Sequence, residues 1–423
     1  MHRVLAALMA VASCASIAQA QSLASQPAAT TENVVTLNQA LALAGTVSPS
    51  LDSAAAGVRA AQEARTVAGL RPNPSIVVES ENLVGTGQYR GARSAETTAG
   101  VALPIELGGK RSARIGVANS QRNRADINSA IAMADLRLRV TQAYVEAAAA
   151  EQRLVIARDQ TAIAENALKA ARTRVTAGAG APIDEQRADV LRVNAGVAEQ
   201  KARLALDVAR GNLVRLIGKP IDGALDLGWF RSVREGAYGP QMPVRADGTL
   251  ALAAARADVD TASAQVRLAR SQRVPDVTIS ASARRLAATN DTAAVVGLSI
   301  PFPLFNNGAA AERQAQAQRD QADAERRLAN LNVEQDIAGA QADLQSAAAS
   351  ARAAGGPALT AAAEAARIAR IGYAQGKFSQ LDLLQAEQSL AETRAGYTDA
   401  LSAYHDAEAR LARLTSTPSD VAP

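Results

Sequence analysis

Large aromatic side chains are scarce in this 423-residue chain, where phenylalanine, tryptophan and tyrosine together make up 3% of the residues. Hydrophobic residues still make up 48% of the sequence, and alanine is the most frequent of them. So few large side chains could not fill several compact globular cores in a chain of this length. Small side chains at this density favour long helices that pack closely along their length.

Cysteine and histidine are nearly missing, which limits the possible chemistry. The single cysteine, Cys14, lies in an N-terminal segment with the pattern of an export signal, so neither a disulfide nor a catalytic thiol is expected. Outside that segment, His405 is the only histidine, and Met133 and Met242 are far apart in sequence. We expect His405 on a helix surface or between helices. The sequence predicts no enzyme, no cofactor and no metal site.

Basic and acidic residues are nearly balanced, with 45 lysines and arginines against 41 aspartates and glutamates. They are interspersed along helical stretches, as on solvated helix faces, and no basic tract alternates with aromatic residues. This pattern argues against nucleic acid as a partner. Beyond the N-terminus, no run approaches the roughly 18 apolar residues of a membrane-spanning helix. Any membrane contact must therefore use another kind of structure.

The N-terminus has the pattern of an export signal. Arg3 precedes an apolar run, and Ala18-Gln19-Ala20 provides a cleavage site of small residues. We therefore assign residues 1–20 to a signal peptide and residues 21–36 to an N-terminal extension. The stretch Val11-Ala12-Ser13-Cys14 also fits a lipoprotein signal, in which Cys14 would be lipidated. Both alternatives remain open at this point.

The chain contains an internal repeat. The stretch RVTAGAGAPIDEQRADV (174–190) aligns with GYAQGKFSQLDLLQAEQ (372–388), and GVALPI (100–105) aligns with GLSIPF (297–302). The repeats cover residues 37–217 and 248–415, with a glycine- and proline-containing linker at 218–247 and a C-terminal tail at 416–423. Two halves with the same elements in the same order predict a pseudo-symmetric structure.

Hydrophobic periodicity predicts that each half combines long helices with two short strands. Strands are expected at about 75–84, 97–107, 277–285 and 295–305. A helical pattern runs from Gly109 to about Thr176, and a helix of this length measures about 100 Å. The second half has helices at 309–374 and 380–414, interrupted at Gly355-Gly356-Pro357. Helices this long need neighbours to bury their apolar stripes, so one chain cannot close the structure by itself.

Each predicted strand has one apolar face. In the fourth strand, for example, Val296, Leu298 and Ile300 alternate with glycine, serine and proline. Segments of about ten residues with this pattern are typical of membrane β-barrels, whose smallest members have about eight strands. Four strands per chain fall short of that number, so several chains must share one barrel. The alternative is a soluble antiparallel sheet that caps a helical stalk.

The sequence resembles the TolC family of outer-membrane efflux factors from Leu37 to about Leu414. The resemblance rests on the duplication and on three further motifs and two turns. They are LRPNP (70–74), LPIELGGKR (103–111), PFPLFNNG (301–308), and the turns TAGAGAPID and GYAQGKFSQLD. Within this family, ELGGKR is similar to the CzcC-type branch, which works with heavy-metal pumps of the resistance-nodulation-division (RND) type.

The resemblance implies a mainly α-helical protein with a membrane β-sheet that assembles as a homotrimer. Three chains would share a twelve-stranded β-barrel in the lipid of the outer membrane, continued by a long α-helical barrel in the periplasm. A periplasmic adaptor, also called a membrane fusion protein, would connect this exit duct to an inner-membrane RND pump for heavy-metal cations. The alternatives are a channel for drugs or other small molecules, or a soluble periplasmic coiled-coil adaptor or scaffold.

The resemblance also implies roles for residues in the two helix-hairpin turns. The adaptor would dock on Ala177, Gly178 and Ala179 and on Gln375, Gly376 and Lys377. The periplasmic gate would include Asp382, Gln385, Tyr373 and Asp184. In this family Asp382 matches an aspartate that forms a ring in the pore, Gln385 replaces a second such aspartate, and Phe378 replaces a gating arginine. The alternative is that the glycines end their helices and that Asp382 caps a helix with Ser379.

The stretch Gly108-Gly109-Lys110-Arg111 marks the predicted junction between a strand and a long helix. Its glycines would let the chain bend from a tilted barrel strand into a tunnel helix. Val101, Leu103 and Ile105 would face lipid on the strand side. Lys110 and Arg111 would then lie where the chain leaves the hydrocarbon layer for water.

Overall fold

The structure is a computed structural model that describes residues 34–221, 223–234 and 246–420. The predicted signal peptide, the possible lipidation site Cys14 and most of the predicted N-terminal extension lie outside the described residues. Part of the predicted linker, which includes Met242, and the end of the predicted tail also lie outside them.

Helices dominate the described residues. They are α1 (Leu37–Val47), α2 (Pro49–Ala68), α3 (Lys110–Thr176), α4 (Pro182–Ile217), α5 (Leu227–Phe230), α6 (Leu250–Ser271), α7 (Ala309–Ala353), α8 (Leu359–Ala374) and α9 (Gln380–Thr415). The longest is α3, with 67 residues, and it packs against α2, α4, α6 and α9. No helix in the described ranges is both long enough and apolar enough to cross a membrane.

A π-helical turn at Ala354–Ala358 joins α7 to α8. It contains Pro357, which has no N–H to donate to the helix, and a π turn accommodates such a missing bond. Gly355 is required in this turn because a Cβ atom there would lie 2.4 Å from the ring of Tyr397 on α9. The interruption predicted at residues 355–357 is therefore a wider helical turn.

The strands form one antiparallel sheet in the order β1-β2-β3-β4. They are β1 (Ser75–Glu81), β2 (Glu96–Ile105), β3 (Val277–Leu286) and β4 (Asp291–Ser299). The two halves of the chain therefore meet through the pairing of β2 with β3.

The predicted bounds of the fourth strand, 295–305, are wrong, because β4 begins at Asp291 and ends at Ser299. Pro301 and Pro303 follow, and a proline cannot donate a hydrogen bond to a neighbouring strand. The first strand also ends earlier than predicted, at Glu81 rather than residue 84. Asn82 follows it with a φ of 58°, which is incompatible with a continuing strand.

The sheet has one apolar and one polar face. The apolar face exposes Ile76, Val78, Val101, Leu103, Ile279, Val296 and Leu298. The polar face carries the carboxylates of Glu79, Glu81, Glu96 and Asp291. Arg284 lies on the same face and donates hydrogen bonds to Glu96 at 2.9 Å and to Thr98 at 3.0 Å. Within the described residues, the outer edges of β1 and β4 have no strand partner.

Large buried side chains hold the described part of the linker against α3 and α9. The Tyr144 hydroxyl accepts a hydrogen bond from the N–H of Asp226 in the linker at 2.9 Å and donates to the Val35 carbonyl oxygen at 2.7 Å, and burial raises the pKa of Tyr144 to about 12. His405 is 2% exposed. Its Nε2 atom lies 2.8 Å from the Phe230 carbonyl oxygen, and its ring stacks on Trp229 at 4.2 Å. His405 therefore lies between helices, which is one of the two positions expected from the sequence.

Within the described ranges, no group of three or more histidine, cysteine, aspartate or glutamate side chains could hold a metal ion.

An ion pair joins the two arms of the second helix hairpin. Arg370 on α8 donates two hydrogen bonds to Glu387 on α9, and the one from Nη2 to Oε2 measures 2.7 Å. These bonds raise the pKa of Arg370. The side chain of Glu387 is 3% exposed and that of Arg370 is 52% exposed. In the first hairpin, the equivalent Arg172 pairs with Glu185 at 3.1 Å, where the side chains are 58% and 31% exposed.

Replacing Arg370 should therefore loosen the second hairpin more than replacing Arg172 loosens the first. Arg370→Ala leaves a buried carboxylate without its cation, which costs about 3 kcal/mol, whereas exposed ion pairs contribute about 0–1 kcal/mol. Glu387→Ala should cost less than Arg370→Ala, because the remaining guanidinium reaches water. Amide hydrogen exchange in α8 and α9, compared with α3 and α4, measures these effects. Equal acceleration in the two arginine variants would contradict this account.

Candidate functional site

The two helix-hairpin turns lie at the same end of the molecule. Side chains from the first turns of α4 and α9, among them Ile183, Leu381 and Leu384, line one cleft of about 480 Å³. The side-chain amide of Gln380 at the start of α9 donates to the carbonyl oxygen of Ala167 on α3 at 3.3 Å. These contacts bring residues 177–181 and 375–379 together on one surface, which we call the hairpin end.

Both turns use the same backbone geometry. Gly178 and Gly376 each have a φ of 70°, in the left-handed region that favours glycine. In each turn, the glycine N–H donates to a carbonyl oxygen three residues earlier at 3.0 Å. The next residue, Ala179 or Lys377, donates to a carbonyl oxygen five residues earlier, at 2.9 and 2.8 Å respectively. The glycines therefore do end their helices, as in the Schellman motif.

The same two glycines face open space. A Cβ atom built on Gly178 or Gly376 would meet no other heavy atom within 4 Å. The positive φ alone therefore requires glycine, and the backbone on the outer side of each turn is accessible within one chain. Helix termination and contact with a partner are compatible roles at these positions.

Asp382 forms a capping box with Ser379 at the start of α9. The Asp382 carboxylate accepts hydrogen bonds from the Ser379 N–H at 2.9 Å and from the Ser379 hydroxyl at 2.7 Å, and the Asp382 N–H donates to that hydroxyl oxygen at 3.2 Å. These bonds lower the pKa of Asp382. The side chain remains exposed, so the carboxylate caps the helix and stays charged at the surface of the hairpin end.

The other residues of the expected gate are not joined by hydrogen bonds within the described residues of one chain. Tyr373 and Asp184 are partly exposed, and no hydrogen bond links them. Asp184 lies in the cleft between α4 and α9, and Gln385 is exposed on α9. A closed gate made from these side chains would need contacts between chains.

Phe378 packs over the end of α8. A Cβ atom on Gly372 would lie 2.2 Å from the Phe378 ring, so the ring occupies the space above this glycine. The Phe378 N–H also donates to the Gly372 carbonyl oxygen at 3.2 Å. At the position where the family resemblance implied a gating arginine, this chain therefore has an apolar side chain that covers its own turn.

The strand–helix junction lies at the opposite end of the long helices. Gly108 and Gly109 have φ values of 70° and 73°. A Cβ atom on Gly108 would lie 2.6 Å from the Val274 side chain, so this position also needs glycine for space. Lys110 pairs with Asp276 at 2.7 Å, and the same carboxylate accepts the Leu107 N–H at 3.1 Å.

Sequence reasoning missed Asp276 and the Arg370–Glu387 pair. Asp276 directly precedes β3, and its pairing with Lys110 became visible only when the sheet aligned β2 with β3. If the alignment of 174–190 with 372–388 is extended by two residues, Arg370 lies opposite Arg172, and this basic residue at the same position of both repeats was the available signal. The register between the helices of each hairpin was not available from the sequence, so the acidic partners could not be assigned.

Comparison with known proteins identifies relatives over most of the chain. In Cupriavidus metallidurans, the cobalt-zinc-cadmium resistance protein CzcC is 30% identical over 382 residues, which cover 90% of this chain and 90% of that protein. The nickel and cobalt resistance protein CnrC of the same organism is 33% identical over 307 residues, covering 71% of this chain and 70% of that protein.

Solved structures share the fold. The outer membrane protein VceC from Vibrio cholerae has a TM-score of 0.72 and 21% sequence identity, covering 90% of this chain and 96% of that chain. The family model described as outer membrane efflux protein matches this chain twice, at residues 46–219 and 247–417, which confirms the internal duplication. The chain therefore belongs to the outer membrane efflux protein family, with the fold of TolC-like channels.

Proposed function

We propose that the chain is the outer-membrane exit duct of a tripartite efflux system that exports heavy-metal cations. Proteins of this family are outer-membrane transport ducts, so the chain is not an enzyme. The observation that carries the proposal is the four-stranded sheet, which has an apolar face and two unpaired edges among the described residues. The family excludes the soluble scaffold considered from the sequence.

The sheet supports assembly as a homotrimer. Its strands alternate in direction, so β4 of one chain can pair antiparallel with β1 of the next. Four strands cannot close, since the smallest membrane barrels have about eight. Three chains give twelve strands, and the polar faces then line an aqueous interior while the apolar faces contact lipid.

The long helices support a tunnel with an adaptor at its tip. The 67-residue helix α3 extends about 100 Å from the junction, which places the hairpin end deep in the periplasm when the sheet lies in the outer membrane. Gly178 and Gly376 present accessible backbone there. The adaptor's own helical tip would approach closely at these glycines, and the adaptor would connect the duct to an inner-membrane RND pump.

Two observations support cations as the cargo. The relatives CzcC and CnrC are named for resistance to cobalt, zinc, cadmium and nickel. Independently, the polar face of the sheet carries four carboxylates, Glu79, Glu81, Glu96 and Asp291, against the single guanidinium of Arg284. An interior with this excess of negative charge attracts cations and repels anions.

The pore mouth would add further negative charge through Asp382. Three copies of this exposed carboxylate would surround a narrow opening, and the hydrogen bonds from Ser379 keep them ionised. Gln385, Tyr373 and Asp184 would complete the gate through contacts between chains. Gln385 makes this mouth less acidic than one with two aspartate rings.

Deleting the gene should sensitise the cell to divalent metal cations. We expect the inhibitory concentrations of cobalt, zinc, cadmium and nickel to fall, and a plasmid copy of the gene should restore them. Growth in parallel dilution series of these metals and of several antibiotics measures the effect. Unchanged metal tolerance combined with new drug sensitivity would show that the cargo assignment is wrong.

The role of Asp382 can be separated from its capping role by two variants. Asp382→Asn keeps a hydrogen-bond acceptor for Ser379 but removes the charge, so cation selectivity in planar bilayers should fall. Ser379→Ala removes the cap but keeps the charge, so selectivity at neutral pH should persist. If both variants behave like the unmodified protein, Asp382 is only a helix cap.

The unmodified protein and Ser379→Ala should also differ in how their cation selectivity depends on pH. Because the hydrogen bonds from Ser379 lower the pKa of Asp382, the carboxylate of the unmodified protein stays charged to a lower pH than in Ser379→Ala, and so does its contribution to cation selectivity. In Ser379→Ala the pKa returns toward its ordinary value, so selectivity should decline at a higher pH. Reversal potentials measured across a pH series test this order, and the opposite order would contradict it.

A further inference from the structure

A cavity of about 420 Å³ lies at the strand–helix junction and has no role in the duct proposed above. Its lining includes Arg71, Pro72, Leu103, Ile105 and Arg111. These residues come from LRPNP and LPIELGGKR, two of the motifs that carried the family resemblance. We call this site the junction cavity.

Basic residues are in excess at the strand–helix junction that contains the cavity. Successive contacts join four segments there, residues 69–74, 106–114, 270–276 and 308–313, and the first two carry the arginines of the cavity. Together these segments contain seven basic and three acidic residues. This excess equals the formal charge of +4 of the whole chain. Positive charge is therefore concentrated at the junction, while the rest of the chain is balanced.

All three carboxylates in these segments are already paired. Glu106 accepts two hydrogen bonds from Arg114, Asp276 pairs with Lys110 at 2.7 Å, and Glu312 pairs with Arg270 at 3.1 Å and Arg273 at 2.8 Å. Although Glu106 also lines the junction cavity, its carboxylate is therefore neutralised by its own partner. No acidic side chain in these segments is left for the cavity's arginines.

Neither of the two arginines that line the junction cavity has an acidic partner among the described residues. Arg111 donates from Nε to the Gly69 carbonyl oxygen, which fixes the guanidinium and leaves its two terminal nitrogens available. Arg71 is exposed and makes no hydrogen bond or ion pair within the described part of the chain. Together they present two guanidinium groups to one cavity.

The junction cavity adjoins the apolar face of the sheet. Leu103 and Ile105 lie on that face near the end of β2, and their side chains are 46% and 37% exposed. Gly108 and Gly109 then turn the chain into α3. In the outer membrane, the guanidinium groups would lie at the boundary between hydrocarbon and periplasm, next to side chains that contact lipid.

We infer that the junction cavity binds the headgroup of an anionic phospholipid from the periplasmic leaflet of the outer membrane. Arg71 and Arg111 hold the phosphate through charge-assisted hydrogen bonds, for which the planar guanidinium is suited. An acyl chain lies along Leu103 and Ile105. The inference rests on the proposed function only in that the apolar face must contact lipid, and it does not depend on the cargo.

Native mass spectrometry of the detergent-purified assembly can measure this binding. The probes are dioleoyl phosphatidylglycerol, which is anionic, and dioleoyl phosphatidylcholine, which has the same acyl chains and no net charge. The unmodified protein should prefer phosphatidylglycerol. Arg71→Gln/Arg111→Gln should weaken its binding about 30-fold, since each basic side chain near a lipid surface contributes about a fivefold gain in affinity.

Two further variants separate lipid binding from general effects. Arg59→Gln/Arg187→Gln removes the same charge from exposed positions outside the four junction segments, and its lipid preference should be unchanged. Arg71→Gln alone should weaken binding about fivefold, and it disturbs no hydrogen bond within the described part of the chain. It therefore remains informative if the loss of the Arg111 contact with Gly69 perturbs folding.

Several results would overturn the inference. Equal weakening in the control pair would indicate a nonspecific charge effect, and no weakening in either cavity variant would exclude these arginines. Displacement of the lipid by excess inorganic phosphate would identify a free-anion site. Loss of the assembly on an unheated gel, with lipid binding intact, would show that Arg71 contacts a neighbouring chain. None of these measurements uses metal transport, so failure of the lipid site and failure of the efflux proposal are distinguishable.

Discussion

The unpaired edges of the four-stranded sheet are the constraint on which the rest of the structure depends. In hydrocarbon, each backbone N–H or C=O without a partner costs several kcal/mol, and β1 and β4 both present a row of such groups. The apolar face of the same sheet needs a lipid environment. Both needs are met when the chain shares a closed barrel with other copies. The proposed oligomer and its aqueous interior then follow from one requirement.

In a barrel shared by several chains, each chain must connect its strands to its long helices with the same geometry. At the junction, Gly108, Gly109 and Gly308 adopt a left-handed backbone conformation that turns the chain from strand to helix. Ion pairs then join the neighbouring segments. The internal repeat supplies the same connection twice in each chain. Farther along, α3 is one arm of the first hairpin and also packs against α9 of the second, so the hairpin end is positioned by the sheet through continuous helices.

Much of this architecture could be predicted from the sequence because periodicity encodes it. Hydrophobic residues that recur every 3.6 residues located the helices, and those that recur every two residues located the strands. The internal repeat showed that the two halves have the same elements in the same order. The prediction failed at β4 because apolar alternation continues through Phe302 and Leu304 after the strand has ended. Both side chains are highly exposed in one chain, at 84% and 70%, and Pro301 and Pro303 cannot donate hydrogen bonds to a neighbouring strand, so the alternation there does not indicate strand pairing.

The candidate site was predicted less completely than the fold. The glycine turns and the capping box of Asp382 are local features, and each was considered from residues close in sequence. The pairs Lys110–Asp276 and Arg370–Glu387 depend on strand order and on the register between helices, which no local pattern contains. The gate residues Tyr373 and Asp184 depend further on neighbouring chains, so their roles remain proposals.

The central claim is that several copies of the chain close one membrane barrel, and the mass of the assembled particle tests it most directly. Native mass spectrometry of the mature protein, extracted from outer membranes in mild detergent, should give three times the mass of one chain. The assembly should separate into single chains only after heating in denaturant. A monodisperse single chain, or a protein that is released from the cell without detergent, would contradict the account.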